Sequence, residues 1–337
     1  MIREPLKVTR NKQWILARRP KGWVQESDFR LQETDVPPLQ DGQILVRISY
    51  LSLDPYMRGR MNETRSYASP QSLDAVMIGG TVGDVVESRH AGYKAGETVV
   101  GMGGWQQYFV SNGDGLMKAD TRMLPLSVYL GCVGMTGVTA WYGLLKIGRP
   151  KEGQTVVVSA ASGAVGGVVG QLAKIHGCRA VGIAGGKAKC DYVMNVLGFD
   201  ACVDYKSPSF LGDLEKATPD GVDVLFENVG GAVLDATLAR MNDFGRMAVC
   251  GLISGYNGQG VPLMNFGHIL TRRLAVEGFI VTEHMEVWPE ALKELGALVA
   301  QGKIKYHETI AQGIESAPRA FIGLLRGENL GKQLVKM

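Results

Sequence analysis

An α/β fold that combines a doubly wound parallel sheet with a smaller β-barrel domain is predicted by three features of this sequence. Apolar strands alternate with helical segments between residues 155 and 280. The first of these strands runs into a glycine-rich turn and then directly into a helix. Short strands separated by glycine turns dominate the first 120 residues, which is typical of a small barrel.

The composition is that of a globular protein, and 337 residues leave room for two domains. A net charge of +3 is too weak and too scattered to favour nucleic acid as a partner. No apolar run approaches the roughly 20 residues of a membrane span. The first residues lack the apolar core of a signal peptide. We therefore expect a cytoplasmic location and no membrane partner.

Five cysteines are spread along the chain without a C-x-x-C pair: Cys132, Cys178, Cys190, Cys202 and Cys250. The odd count and the wide spacing argue against a disulfide framework. We expect reduced thiols in a reducing compartment.

The predicted strand 155–159 ends in a glycine-rich turn that precedes a helix at 168–175. Backbone N–H groups in such a turn approach a pyrophosphate, and the helix N-terminus favours its negative charge. The G-x-G-x-x-G pattern is incomplete because Ala161 occupies the first glycine position. Taken alone, the turn is therefore equally consistent with simple packing of a helix on a strand. The predicted pyrophosphate contacts are Gly163, Ala164, Val165 and Gly166.

The next strand, 179–184, ends in two glycines followed by Lys187 and Lys189. An NAD site carries an acidic residue here, about 20 residues after the turn, for the ribose 2′-hydroxyl. An acidic side chain would repel a 2′-phosphate, whereas lysines would bind it. The cofactor is therefore predicted to be NADP(H), against the alternative that the lysines are merely solvated.

Further strands are predicted at 221–229, 245–251 and 274–280, with a helix from 230 through Met241 after the first of them. Ligands of a doubly wound sheet bind outside the carboxyl ends of its strands. The polar and aromatic residues that follow the strand ends should therefore converge on one crevice. They are Lys189, Asn228, residues 250–256 and Phe279.

The two ends of the chain complete the prediction. Barrel strands are expected at 42–52, 76–87, 95–101 and 106–110; helical segments at 124–141, 290–301 and 316–326; and a last strand at 329–336. The last strand has no place in the parallel sheet, so we return it to the barrel. The predicted domains are residues 1–125 with 300–337, and residues 126–299.

Five motifs occur in order along the chain: Leu53-Asp-Pro-Tyr-Met-Arg58, Ala161-Ser-Gly-Ala-Val-Gly166, Glu227-Asn-Val-Gly-Gly231, Cys250-Gly-Leu-Ile-Ser-Gly-Tyr-Asn257 and Asn329-Leu-Gly-Lys332. With them the whole chain resembles the medium-chain dehydrogenase/reductase superfamily. Within it, the chain resembles the leukotriene B4 12-hydroxydehydrogenase, prostaglandin reductase and alkenal or curcumin-type double-bond reductase family. The resemblance implies a Rossmann NADP-binding domain and a GroES-like catalytic barrel. The chain departs from the family pattern at Thr136, where proline is more frequent, and at Gly186, where serine is common.

Zinc dehydrogenases of the superfamily need about three protein ligands for a catalytic metal and four for a structural one. Residues 1–131 contain no cysteine and a single histidine, His90. Asp54 and the Gly79-Gly80-Thr81 segment occupy positions where a zinc enzyme carries ligands. Cys132 alone cannot hold a metal. We therefore predict an enzyme without a metal ion.

The resemblance implies NADPH-dependent reduction of the carbon–carbon double bond of α,β-unsaturated aldehydes and ketones, with hydride transfer to the β-carbon. Such an enzyme is an oxidoreductase acting on CH–CH donors. The protein must orient the substrate and stabilise charge on the carbonyl oxygen. A homodimer is also implied, because the strand that contains Phe279 is the family's dimer edge.

Tyr256 is the first candidate to donate a hydrogen bond to the carbonyl oxygen, and Tyr56 is the second. A tyrosine with its ordinary pKa of about 10 donates rather than ionises at neutral pH. The alternatives are that Tyr256 only closes the pocket wall and that Tyr56 only packs. Met57 and Met135 are expected to line the apolar pocket, with core packing as their alternative.

The resemblance also assigns cofactor contacts. Lys189 and Tyr205 match positions at the 2′-phosphate. Asn228 and Asn329 match positions at the nicotinamide half or its ribose, and a buried asparagine without a partner would cost free energy. Backbone contacts near the carboxamide are expected from Phe279 and Ile280. The remaining predicted contacts are Cys250, Gly251, Ser254, Tyr256 and Val281.

Two other functions stay open. One is NADPH-dependent quinone reduction, as in zinc-free quinone oxidoreductases of the same superfamily. The other is NADPH binding without catalysis, as crystallins of the superfamily illustrate. Turnover of alkenals against quinones separates the first alternative from enone reduction. Tight NADPH binding without any turnover would favour the second.

Overall fold

The structure is a computed structural model and describes residues 10–122, 124–258, 260 and 262–337. The chain forms two compact units. The first takes in the described residues up to Leu130, with Ile310–Arg326 and Gln333–Met337; the second takes in Gly131–Thr309 and Gly327–Lys332. Residues 1–9, which include the start for which no signal peptide is predicted, lie outside the described residues.

Fifteen strands are present among the described residues. They are β1 Arg10–Leu16, β2 Phe29–Asp35, β3 Ile44–Ser52, β4 Thr81–Ser88, β5 Thr98–Gly101, β6 Tyr108–Ser111, β7 Met117–Lys118, β8 Thr155–Ser159, β9 Arg179–Ala184, β10 Ala201–Asp204, β11 Val222–Glu227, β12 Met241–Val249, β13 Ala275–Gly278, β14 Glu308–Gln312 and β15 Lys332–Lys336.

The same residues contain nine α-helices. They are α1 Tyr56–Arg60, α2 Met135–Tyr142, α3 Gly166–Ile175, α4 Lys187–Asn195, α5 Phe210–Ala217, α6 Gly231–Leu238, α7 His268–Thr271, α8 Trp288–Ala300 and α9 Ala317–Leu325. None of the described helices is long and apolar enough to cross a membrane.

The second unit is built on a parallel sheet with strand order β10-β9-β8-β11-β12-β13. All five residues of β8 are buried, as expected for a strand covered by helices on both faces. The chain leaves β8 toward β9 and β10 on one side, and β11, β12 and β13 lie on the other. The direction of winding therefore reverses between β8 and β11, which is where such sheets bind ligands.

The first unit contains antiparallel strands in the order β15-β3-β4-β5-β7, with β6 also pairing to β3. The last strand returns to this sheet as predicted, and Leu334 lies opposite Ser52. A core of fully buried side chains that includes Trp105 and Phe321 packs here. The rings of Trp105 and Phe321 meet edge to face, with centroids 5.5 Å apart.

Two predicted elements are wrong in part. The predicted helical segment 124–141 is interrupted, because a 3-10 helix, Leu126–Leu130, ends before α2 begins. The helix predicted through Met241 ends at Leu238, and Met241 instead starts β12, opposite Val222 of β11. The β1–β2 hairpin was not predicted.

The unit boundaries also differ from the predicted domain limits at residues 125 and 300. Residues 300–309 and 327–332 lie in the second unit. Gln171 of α3 holds Lys305 with two hydrogen bonds to its backbone, of 2.8 and 2.7 Å. The Gly331 N–H donates to the Ser162 carbonyl oxygen at 2.9 Å. Both contacts keep these segments beside α3 and the turn before it.

Candidate active site

The turn between β8 and α3 lies at the point where the winding of the sheet reverses. A Cβ atom on Gly166 would stand 2.4 Å from the Ala160 carbonyl oxygen, so only glycine allows α3 to start this close to the strand. The first N–H groups of a helix have no acceptor within the helix and attract anions. The turn 163–166 is thus shaped to receive a negatively charged group.

The segment 327–332 runs along this turn. Gly331 pairs with Gly163 in a parallel bridge. The Asn329 side-chain amide donates to the Gly331 carbonyl oxygen at 2.8 Å. Asn329 is therefore close to the turn, but its amide already has a partner within the protein.

Lys189 lies in the first turn of α4, which begins shortly after the carboxyl end of β9. Its ammonium group donates to the Gly327 carbonyl oxygen at 2.6 Å. Burial, and then the neighbouring charge of Lys206, lower the pKa of Lys189. Tyr205 lies beside the same strand end, because a Cβ atom on Gly185 would be 2.8 Å from its ring. Two neighbouring ammonium groups form a setting that suits a dianionic phosphate.

Lys206 was not singled out from the sequence. It directly follows Tyr205 after the end of β10, and its ammonium group lies 5.9 Å from the Tyr205 ring centroid. The strand-end position was the signal that could have found it. Lys187, in contrast, is exposed and pairs with Asp191 at 2.6 Å.

A cavity of about 370 Å³ opens at the carboxyl ends of β12 and β13. This volume lies in the range of about 300–1,000 Å³ found for small-molecule sites. Its lining residues are Val249, Cys250, Gly251, Leu252, Tyr256, Gly278, Phe279, Ile280 and Glu283. Five of the predicted site residues, Cys250, Gly251, Tyr256, Phe279 and Ile280, therefore meet in one cavity, whereas Glu283 was missed.

Tyr256 folds back toward the strand end that precedes its loop. A Cβ atom on Gly251 would be 3.1 Å from the Tyr256 hydroxyl oxygen. The Tyr256 N–H donates to the Ile253 carbonyl oxygen at 3.2 Å. The hydroxyl therefore lies beside Gly251, which has no side chain to separate it from the cavity.

The Phe279 side chain is held between aromatic rings. Its centroid is 6.3 Å from that of Phe226 and 5.5 Å from that of Tyr142. The adjacent Val281 is buried, and its carbonyl oxygen accepts the Trp288 indole N–H at 3.2 Å. This packing fixes the backbone at 279–281, where cofactor contacts are predicted.

The Asn228 side-chain amide has a partner within the protein, which the sequence did not predict. Its side-chain nitrogen donates to the Ser159 carbonyl oxygen, and its backbone N–H donates to the Ser159 hydroxyl, each at 2.8 Å. The free-energy argument for a ligand at Asn228 is therefore wrong. The contact instead ties the end of β11 to the end of β8.

In the first unit, Tyr56 is half-buried against the core. Burial, with the nearby charge of Asp54, raises the pKa of its phenol well above the usual range. Met57 is fully buried in the core, so its predicted place in a pocket lining is wrong. Met135 is half-buried at the start of α2. Its backbone carbonyl oxygen accepts a hydrogen bond from the Thr139 hydroxyl at 2.7 Å.

Among the residues that the structure describes, no group of three or more His, Cys, Asp and Glu side chains is placed to hold a metal ion. All five cysteines are free thiols. Burial raises the pKa of Cys132 and of Cys250 to about 12. These two thiols are protonated at neutral pH, which makes them poor nucleophiles and metal ligands.

Comparisons with known proteins agree with this geometry. Residues 12–119 match the family described as the N-terminal domain of oxidoreductase, and residues 164–297 match the family described as zinc-binding dehydrogenase. NADPH-dependent curcumin reductase from Escherichia coli K12 is 47% identical over 335 residues, covering 97% of each chain. Prostaglandin reductase 1 from Rattus norvegicus is 44% identical and covers 96% of this chain and 98% of its own.

A 2-alkenal reductase (NADP(+)-dependent) from Nicotiana tabacum is 41% identical over 96% of this chain and 97% of its own. Among solved structures, CurA from Vibrio vulnificus in complex with NADPH superposes with a TM-score of 0.93. It is 45% identical and covers 97% of this chain and 99% of its own. The predicted combination of a parallel nucleotide-binding sheet with a barrel domain is confirmed.

Proposed function

The chain belongs to the medium-chain dehydrogenase/reductase superfamily and, within it, to the family of prostaglandin, alkenal and curcumin reductases; from this premise we propose that it reduces α,β-unsaturated aldehydes and ketones with NADPH. The bond reduced is the carbon–carbon double bond conjugated to the carbonyl. The observation that carries the proposal is the cavity of about 370 Å³ in which Tyr256 lies against Gly251.

The residues along the carboxyl edge of the sheet fit NADPH. The turn 163–166 leads into the N-terminus of α3, whose first N–H groups attract a pyrophosphate. Lys189 and Lys206 supply neighbouring positive charge for the 2′-phosphate, with Tyr205 beside them. When bound, the cofactor supplies the hydride that adds to the β-carbon of the substrate.

Tyr256 stabilises the oxygen on which charge accumulates. Its hydroxyl donates a hydrogen bond to the carbonyl oxygen as that oxygen becomes an enolate, which lowers the barrier without a metal ion. The proton that completes the product reaches the α-carbon from solvent. Tyr56 is proposed as a second donor, on the strength of the Leu53–Arg58 motif that it shares with the family.

The experiment that tests this function is a turnover screen with NADPH. We expect oxidation of NADPH with 2-alkenals and enones. Turnover of quinones alone would favour the quinone reductase alternative. Tight NADPH binding without turnover of any of these compounds would favour a non-catalytic protein.

Independence from metal ions is part of the same proposal. It is supported by the sequence of the first 131 residues, where His90 is the single His or Cys. Elemental analysis of the purified protein should find no stoichiometric zinc, and chelators should leave the activity unchanged. A zinc ion bound at one per chain would contradict this part of the proposal.

We propose a homodimer that forms along β13. This strand ends the parallel sheet, and all four of its residues are exposed. Met264 and Leu270, nearby in the chain, are 83% and 81% exposed. An outer strand with exposed apolar neighbours is a surface that commonly pairs with another chain. Light scattering should give twice the chain mass, and Leu270→Lys should lower it.

A cytoplasmic location is the last part of the proposal. It is supported by five free thiols, since such thiols persist in reducing compartments. Cell fractionation with a tagged full-length chain tests this location. Recovery outside the cytoplasmic fraction would contradict it.

A further inference from the structure

Glu227, the last residue of β11, is a fully buried carboxylic acid with a specific set of contacts. Its Oε1 accepts the N–H groups of Val229 and Gly230, at 2.5 and 2.6 Å. Oε2 is buried without a hydrogen-bond partner among the described residues. Burial raises the pKa of this carboxyl group, and the backbone N–H groups of residues 228–230 together with the Ser159 hydroxyl only partly oppose that rise. The side chain therefore acts here as an acceptor that shapes the 228–230 turn.

The 228–230 turn in turn holds the loop that follows β12. The Glu227 carbonyl oxygen accepts the N–H groups of Cys250 and Gly251, at 2.9 and 3.2 Å. Further along, the Val229 carbonyl oxygen accepts the Ser254 N–H at 2.9 Å. These bonds fasten the start and the middle of the 250–256 loop to the turn that the carboxyl group closes.

The Tyr256 position depends on this attachment. Its N–H bonds back to Ile253, whose own N–H donates to the Asn228 carbonyl oxygen at 3.2 Å. A change at the Glu227 side chain should therefore reach Tyr256 through the turn.

We propose that Glu227 is a positioning residue whose carboxyl oxygen closes the 228–230 turn and so sets where Tyr256 presents its hydroxyl to the substrate. This rests on the proposed function, in which Tyr256 donates to the carbonyl oxygen. Glu227 itself touches neither substrate nor cofactor. It acts through the loop.

Three substitutions separate the reach of the acceptor from its acidity. Glu227→Gln keeps an oxygen at the same distance but removes the acid. Glu227→Asp keeps the acid but draws the oxygen back by one methylene group. Glu227→Met keeps the bulk and removes both. We expect kcat for an enone to be nearly unchanged in the Glu227→Gln variant and lowered in the Glu227→Asp variant. In the Glu227→Met variant we expect kcat to fall by about tenfold to a hundredfold, as for a misplaced reacting group.

A double-substitution test separates positioning from general loss of structure. If Glu227 acts through Tyr256, adding Glu227→Met to the Tyr256→Phe variant should lower kcat by less than about twofold relative to Tyr256→Phe alone. The effects of coupled residues are not additive. A full, additive loss in that background would contradict the proposal. The shape of the kcat–pH profile should be the same for Glu227→Gln as for the unaltered chain.

Hydrogen exchange supplies a readout that needs no turnover. The Ile253 and Ser254 amides should exchange faster in Glu227→Met and Glu227→Asp than in Glu227→Gln, while those of β8 stay protected. This pattern in a chain that reduces no enone would refute the proposed function and leave the positioning role intact. Unchanged amide exchange in all three variants would overturn the positioning role. So would a Glu227→Asp variant that is as active as the unaltered chain while the Glu227→Gln variant is inactive. Should the Met variant fail to fold, the comparison of Asp with Gln still decides.

Discussion

The two ends of the ligand-binding edge of the parallel sheet hold their key side chains in different ways. At the proposed adenosine end, Lys189 on α4 and Lys206 after β10 would act through their own charge. At the proposed nicotinamide end, Tyr256 lies on a loop held by backbone hydrogen bonds to residues 227–229. Affinity for the cofactor should therefore depend on individual charges, whereas the rate should depend on the position of a loop.

The largest effect is expected at the nicotinamide end. Tyr256→Phe removes the proposed donor to the enolate oxygen and should lower kcat for enones by about 10²–10³-fold. The KM for NADPH should stay nearly constant. Steady-state kinetics measure both, with Tyr93→Phe as the control, because the Tyr93 hydroxyl donates to the Gly113 and Leu116 carbonyl oxygens of the first unit. An unchanged kcat would reduce Tyr256 to a wall residue.

At the proposed adenosine end, Lys189→Ala should change only the affinity for NADPH. A charged hydrogen bond contributes about 1.5–3 kcal/mol, which corresponds to a rise of about 10-fold to 150-fold in the Kd for NADPH. The Kd for NADH should not change, because NADH has no 2′-phosphate. Lys187→Ala is the control, since Lys187 is exposed and pairs with Asp191. Equal losses for both cofactors would contradict the assignment.

Gly251→Ala tests how finely the loop must be placed. The new Cβ atom would stand 3.1 Å from the Tyr256 hydroxyl oxygen and push it aside by a few tenths of an ångström. We expect kcat to fall by about threefold to tenfold, less than for a displacement of about 1 Å. Gly255→Ala is the matched control, because nothing lies within 4 Å of its added atom. Equal kinetics for the two variants would show that the contact is unimportant.

The smallest effect is a pH dependence of cofactor choice. Burial and Lys206 lower the pKa of Lys189, so the ammonium group loses its proton at a lower pH than an ordinary lysine, whose pKa is about 10.4. The protonated form binds the phosphate, so NADPH affinity is retained below this pKa and falls as the pH rises through it. NADH affinity should stay flat in titrations, and Lys189→Ala should abolish the difference. A preference for NADPH that rises with pH would contradict this assignment.

The sequence allowed the fold class to be predicted because β8, β9 and β11 are apolar runs followed by helices, and each signal is local. The NADP(H) cofactor was predictable from the lysines after β9, which are also a local signal, although Lys206 was overlooked. The bonds that hold Tyr256 were not predictable, since they join the backbone of residues 227–229 to that of residues 250–254. A backbone contact between distant segments leaves little trace in side-chain identity.

Side chains that already pack or hydrogen-bond within the protein gave the other errors. Met57 belongs to a motif that also contains Tyr56, yet it packs in the core of the first unit. Asn228 has its amide bonded to Ser159. In both residues the sequence shows the side-chain chemistry, but the surrounding packing determines whether that side chain is available to a ligand.

The most direct test of the proposed reaction is the fate of the transferred hydrogen. NADPH that carries deuterium at the transferable C4 position should be incubated with a 2-alkenal, and the product analysed by mass spectrometry and NMR. We predict a saturated aldehyde with one deuterium on the β-carbon. An allylic alcohol with deuterium on the former carbonyl carbon would contradict reduction of the conjugated double bond.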